Sequence, residues 1–142
     1  MKRIFSETEK EKIIKSQLNL LKKDLKDCLT LLKTESYRGA YIFLFDALER
    51  IFDIFFARRG EKPTSRIERE ELIFRYFSPE TYRNFKSFYY ERRGGMYEDF
   101  LFISKKDFSD LFKFFKKTLS EIQIREINNE IEKLIKEIEN IS

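Results

Sequence analysis

Arginine is the side chain in this sequence best suited to chemistry, and its spacing is uneven. Two pairs, Arg58-Arg59 and Arg92-Arg93, stand immediately before Gly60 and Gly94-Gly95, and Arg66 and Arg69 follow the first pair closely. A planar guanidinium presents a fork of donors that matches phosphate oxygens two at a time, so several arginines converging from two loops would bind a phosphodiester. Each pair also falls in the last turn of a predicted helix, where the helix dipole favours a cation by about 0.3–1 kcal/mol with no ligand involved. A second constellation is Asp46, Glu49, Arg50 and Asp53, one polar stripe on an otherwise apolar stretch. Charges on a buried helix must meet water or partners. The stripe therefore reads either as a polar cleft wall or as a narrow solvated face with an internal ion pair. Asp46 and Asp53, two turns apart, could hold a cation, although such pairs more often lie on a solvated face.

The 142-residue chain has no histidine and a single cysteine, Cys28. This removes Ser-His and Cys-His catalysis, a histidine general base, the common histidine-containing zinc sites and thiolate zinc clusters. No intramolecular disulfide can form, and no cofactor or metal is expected. The four glycines are scattered apart from Gly94-Gly95, so there is no Gly-rich phosphate loop. With 29 Lys+Arg against 25 Asp+Glu the net charge is +4, short of the imbalance of a nucleic-acid coat. The opening MKRIFSETEKEK lacks an apolar stretch after its basic start and does not read as a signal peptide. The longest uninterrupted apolar run, Ala40 to Phe45, is too short to span a bilayer. The expectation is one soluble, cytoplasmic domain with no membrane partner.

Few Gly and Pro, with many Leu, Ile, Lys and Glu, argue for helices joined by short turns. Ser6 with Glu9, or Thr8 with Glu11, caps a first helix whose seam is Ile14, Leu18, Leu21, Leu25, Cys28 and Leu32. Cys28 lies in that seam as a small core residue. Ser36 caps a second helix that ends at Arg58-Arg59, with Gly60 just past its end. It is apolar on nearly all sides and so must be central, packed by several neighbours or by a second subunit. Ser65 with Glu68 opens a short third helix, and Ser78-Pro79-Glu80 opens a fourth that Gly94-Gly95 should stop. Met96 to Ile103 reads as a turn of helix or an ordered loop. Ser104 with Asp107 opens a long final helix whose apolar phase changes near Ile122–Ile124, where it should bend or change partner. Its second seam, Ile124 to Ile141, matches the first in length. Packing the two on each other, within a chain or between chains, is the simplest way to bury both.

The stretch AYIFLFDALERIFDIFFARRGEKPTSR resembles the core of the HEPN family of small helical proteins. Ala40-Tyr41, Phe45 and Ala47 match the family's aromatic opening, and Arg59-Gly60 and Pro63 match its loop. Arg92, Gly95, Met96 and Tyr97 resemble its downstream segment with two substitutions, and a last helix from Asp107 fits as well. The likeness covers residues 36–122, with 1–35 and 123–142 as flanking helices that pack together. Catalytic members carry an arginine followed, after four to six residues, by histidine, a metal-independent ribonuclease pair. Arg59 matches the arginine, but the histidine position falls on Arg66, or on Ser65 with a loop one residue shorter. Arginine stays protonated far above neutral pH and cannot serve as the base, although it can bind phosphate.

The resemblance thus implies an all-α, up-and-down bundle of about five helices with a long C-terminal helix. It implies a non-catalytic binding or regulatory module, a homodimer pairing its central helices, with RNA, a nucleotide or a small nucleotidyltransferase as partner. Arg59, Arg66, Arg92 and Arg93 would hold phosphate, and Asp46, Glu49 and Tyr97 would line the cleft. An alternative is a toxin-like endoribonuclease with a histidine-free site that uses Tyr97 or Glu49 instead. A third reading is a structural dimerisation protein whose seams associate.

Overall fold

The computed structural model describes residues 1–4, 6–97 and 102–142, with 95–97 described through their backbone alone. The fold is an all-α bundle of six helices among the described residues: α1 (Glu7–Lys33), α2 (Tyr37–Arg58), α3 (Arg66–Tyr76), α4 (Pro79–Tyr97), α5 (Lys105–Ile122) and α6 (Asn129–Ile141). A two-stranded antiparallel ribbon, β1 (Lys2–Arg3) with β2 (Glu61–Lys62), pairs Lys2 with Lys62 and Arg3 with Glu61. No described helix is long and apolar enough to cross a membrane.

The helix starts follow the capping chemistry. Ser6, Ser65 and Ser104 each accept a hydrogen bond from the backbone N–H three residues on, at 3.0, 3.2 and 3.1 Å. Asp107 closes a full capping box by accepting from the Ser104 N–H at 2.8 Å. Glu68 instead takes the N–H and hydroxyl of Thr64. Ser36 occupies the N-cap of α2 but makes no side-chain cap bond.

Helix α2 is the centre of the molecule. It packs most extensively on α1, then on α5, α4 and α3. Phe45, Phe52 and Phe56 are fully buried. Phe52 meets Phe77 and Phe85 edge-on at 5.2 and 5.5 Å, and Phe45 meets Phe85 at 5.2 Å. Much of the apolar surface of α2 is therefore buried inside one chain, with Tyr37, Phe43 and Phe55 partly buried. Within α1, Ile14, Leu21, Leu25, Cys28 and Leu32 are buried. Burial pushes the Cys28 thiol well above its usual range, as suits a core residue rather than a nucleophile.

Two expectations are corrected. The long C-terminal helix is two helices, because α5 ends at Ile122 and Gln123 turns into the left-handed region (φ 53°). Asn128 then caps α6 by accepting from the Ile131 N–H at 3.0 Å. The reason is the change of apolar phase: α5 packs on α2, whereas α6 packs on α1. A straight helix could not turn both faces to their partners. Ile131, Leu134 and Ile138 of α6 are buried, and Glu130 takes Lys22 of α1 at 2.7 Å. Second, Gly94-Gly95 does not stop α4, which continues to Tyr97. An interior glycine costs a helix about 1 kcal/mol but ends it only where the chain takes a left-handed turn. Part of the Met96–Ile103 segment, residues 98–101, lies outside the described residues.

Gly60 does take such a turn, with φ +76°. Its carbonyl accepts from the Ile4 N–H at 2.9 Å, and a Cβ there would stand 2.9 Å from the Ile4 carbonyl oxygen. Gly60→Ala is expected to lower stability by about 1–2 kcal/mol, read as a shift in the urea midpoint. Ile138→Ala, which opens a cavity between α6 and α1, is expected to cost about 2–4 kcal/mol in the same assay. It should also reduce amide-exchange protection along α1.

Candidate functional site

The acidic stripe of α2 meets arginines from two helices, α3 and α4. Arg69 of α3 sets its fork on Asp53, with Nε to Oδ1 and Nη2 to Oδ2 both at 2.9 Å, and its Nη1 reaches Glu49 Oε2 at 2.8 Å. Arg92 of α4 donates twice to Asp46 Oδ1, at 3.1 and 2.9 Å, and its guanidinium lies 5.9 Å from the Phe45 ring centre. Arg50 turns the other way, to Asp24 of α1, at 3.3 Å. The side chains of Asp46, Glu49, Asp53, Arg69 and Arg92 are only 12–22% exposed. This is a half-buried ion-pair network linking α2 to α3 and α4. Asp46 and Asp53 are occupied by arginines, which is the role a cation would otherwise fill.

Among the acids of this network, burial acts first on Glu49. It pushes Glu49 above its ordinary value, Arg69 pulls it back, and the negative charges of Asp53 and Asp46 add to the rise. For Arg69 burial acts downward, but the hydrogen bonds and charge of Asp53 outweigh it and hold the guanidinium firmly charged.

Arg66 pairs with Glu70 at 2.8 Å and lies 4.6 Å from the Tyr89 ring centre. Arg93 points outward from α4 and is exposed. The side chain of Tyr97 lies outside the described residues. The four arginines expected to hold phosphate together therefore do not converge. Arg66 and Arg92 belong to the carboxylate-paired seam between α2, α3 and α4, while Arg59 stands at the far end of α2. Thirteen residues of helix separate it from Asp46, about 20 Å along the axis.

Arg59 belongs to a different site. At the C-terminal end of α2 its Nη1 donates to the Phe55 carbonyl at 3.2 Å, and its guanidinium stacks 3.5 Å from the Phe55 ring centre. Beside it opens a pocket of about 360 Å³ between α2 and the α5–α6 connection. Its apolar wall is Ile54, Phe55, Ile122 and Ile124, and its polar rim is Arg58, Arg59, Gln123, Arg125 and Glu126. Arg58 is paired with Glu11 at 3.0 Å and with Glu126. Arg59 and Arg125 have no carboxylate partner among the described residues. Arg125 is the residue that sequence reasoning missed. Its signal was the change of helical phase at Ile122–Ile124, which marks where the chain must turn and so where a pocket wall can form.

Comparison with family models, with curated proteins and with solved structures finds no match to this chain.

The raised Glu49 carboxyl has a consequence for stability. Between its ordinary 4.5 and the higher folded value, the folded state holds more protons than the unfolded one. Stability from this group is present at low pH and is lost as pH rises through that window. Glu49→Gln removes the titration. The melting temperature of the wild type relative to this variant is therefore expected to fall as the pH rises above the ordinary carboxyl value of 4.5.

Proposed function

We propose that this chain is a non-catalytic, HEPN-like binding module that holds phosphate groups of RNA or a nucleotide in the arginine pocket at the end of α2. One observation carries the reading. Arg59 and Arg125 come from different elements, flank one open pocket and are free of carboxylate partners among the described residues, whereas Arg66, Arg69 and Arg92 are each tied to acids. Two guanidiniums without carboxylate partners beside an apolar wall suit a ligand with a phosphate and a flat ring. The volume of about 360 Å³ is at the small end of ligand pockets. The absence of histidine from the chain supports binding rather than cleavage, since no side chain here has an ordinary pKa near neutrality. The helix dipole also favours a cation at Arg59. It does not account for Arg125, which stands outside any helix.

End-labelled single-stranded RNA incubated with the protein in EDTA tests both halves of this reading. Retarded but intact RNA is expected. Arg59→Ala with Arg125→Ala should weaken binding about tenfold or more and flatten its salt dependence by the equivalent of about two phosphate contacts. Arg66→Ala, at a residue already paired, should change it little. Cleavage abolished by Arg59→Ala would replace the binding module with a histidine-free nuclease. Binding unchanged in the double variant would remove the pocket.

A further inference from the structure

A second basic cluster lies beside Arg59, and the pocket does not use it. Its centre is Glu61 of β2, which is buried. Tyr76 donates its hydroxyl to Glu61 Oε1, and Arg75 donates to Oε2 at 3.1 Å. Arg3 of β1 stands 3.9 Å from the same Oε2. Two guanidiniums thus share one carboxylate, which leaves one positive charge in excess. The side chains of Arg75 and Arg3 are 54% and 59% exposed, whereas those of Arg69 and Arg92, the ties of the buried stripe, are 16% and 19% exposed. The Tyr76 ring joins this cluster to the pocket. Its hydroxyl is on Glu61, its centre lies 5.4 Å from the Arg59 guanidinium, and the residue is 37% exposed.

We propose that Arg3 and Arg75 form a second phosphate subsite, with Tyr76 as the platform between it and Arg59, so that the ligand carries two phosphodiesters flanking one flat ring. This rests on the phosphate reading of the pocket at the end of α2. Charge sets the class of ligand. Around the pocket, Arg58, Arg59 and Arg125 meet two carboxylates, Glu126 and the Glu11 that takes Arg58, so one positive charge is again in excess. Each end therefore balances one phosphodiester, which carries a single charge. A nucleoside triphosphate gathers several charges on adjacent phosphates, and at either end it meets a carboxylate, Glu126 or Glu61. An aromatic ring stacks on any base, so this site reads spacing and charge rather than sequence. The interior of a single RNA strand has that form, and a nucleotide with terminal phosphates does not. Arg3 lies outside residues 36–122, and neither Arg75 nor Tyr76 matches a motif of the family likeness, so the resemblance does not imply this subsite.

Fluorescence anisotropy of a labelled single-stranded RNA of about 10 nucleotides with hydroxyl ends, with ATP as competitor, tests the subsite on the full chain. The wild type is expected to bind the RNA, and ATP to displace it about tenfold less well than unlabelled RNA does. Arg3→Gln with Arg75→Gln removes both charges but keeps hydrogen-bond donors beside Glu61. It should weaken binding about tenfold and lower the salt slope by the equivalent of about one phosphate contact. Tyr76→Ala should also weaken binding about tenfold, whereas Tyr76→Phe, which keeps the ring, should not. RNA binding that needs Arg59 and Arg125 but ignores Arg3, Arg75 and Tyr76 overturns the second subsite and leaves the pocket standing. So does ATP that displaces the RNA as well as unlabelled RNA does. RNA that does not bind at all overturns the subsite and the pocket together. The glutamine pair keeps the test decisive if Tyr76→Ala fails to fold.

Discussion

The structure depends on one constraint, which is that α2 has almost no wet side. Eleven of its residues are buried, so the charges it carries cannot all be left to water. Removing an ion from water is costly unless a partner of good geometry compensates. Arg69 and Arg92 supply that geometry from α3 and α4, and Arg50 sends its own charge to Asp24 on α1. Apolar packing alone would allow α3 and α4 to slide along a ridge of phenylalanines. The fork of Arg69 on Asp53 and Glu49 fixes where α3 sits. Such a network contributes little net stability against a hydrophobic equivalent, but a misplaced register leaves uncompensated charge.

The same constraint divides the arginines into two classes. Those beside the buried stripe are committed to carboxylates and act as structural ties. Those at the end of α2, where the helix emerges towards solvent, face less of that demand. Arg58 is taken by Glu11 and Glu126, while Arg59 and Arg125 have no carboxylate partner among the described residues. Proximity to the buried acidic stripe, rather than residue type, separates the carboxylate-paired arginines from Arg59 and Arg125.

Local signals in the sequence read well where the physics is local. Ser6, Ser65 and Ser104 cap the helices they were expected to cap, and Gly60 takes the positive φ that the end of α2 requires. The all-α architecture follows from the same spacing. Gly94-Gly95 misled because glycine is only a weak obstacle inside a helix, and it stops one only when the backbone reverses. The fate of the acidic stripe was only half legible. That Asp46, Glu49 and Asp53 share a face follows from their spacing, but which arginines reach them depends on how α3 and α4 fold back. Arg69 is 16 residues from Asp53 and Arg92 is 46 from Asp46. The gathering of Arg125 with Arg59 was hidden for the same reason. Their sequence separation is large, and only the break at Gln123 brings them to one rim.

That break makes the pocket a joint rather than a cavity in a rigid wall. One side, with Arg59, is anchored to the most deeply packed helix. The other, with Arg125, rides on a connection whose far end is set by the seating of α6 on α1. The spacing between the two guanidiniums is therefore governed by contacts remote from either of them. A molecule that spanned both arginines would clasp the C-terminal helix, and by reciprocity the grip of that helix on α1 would tune how firmly the clasp closed.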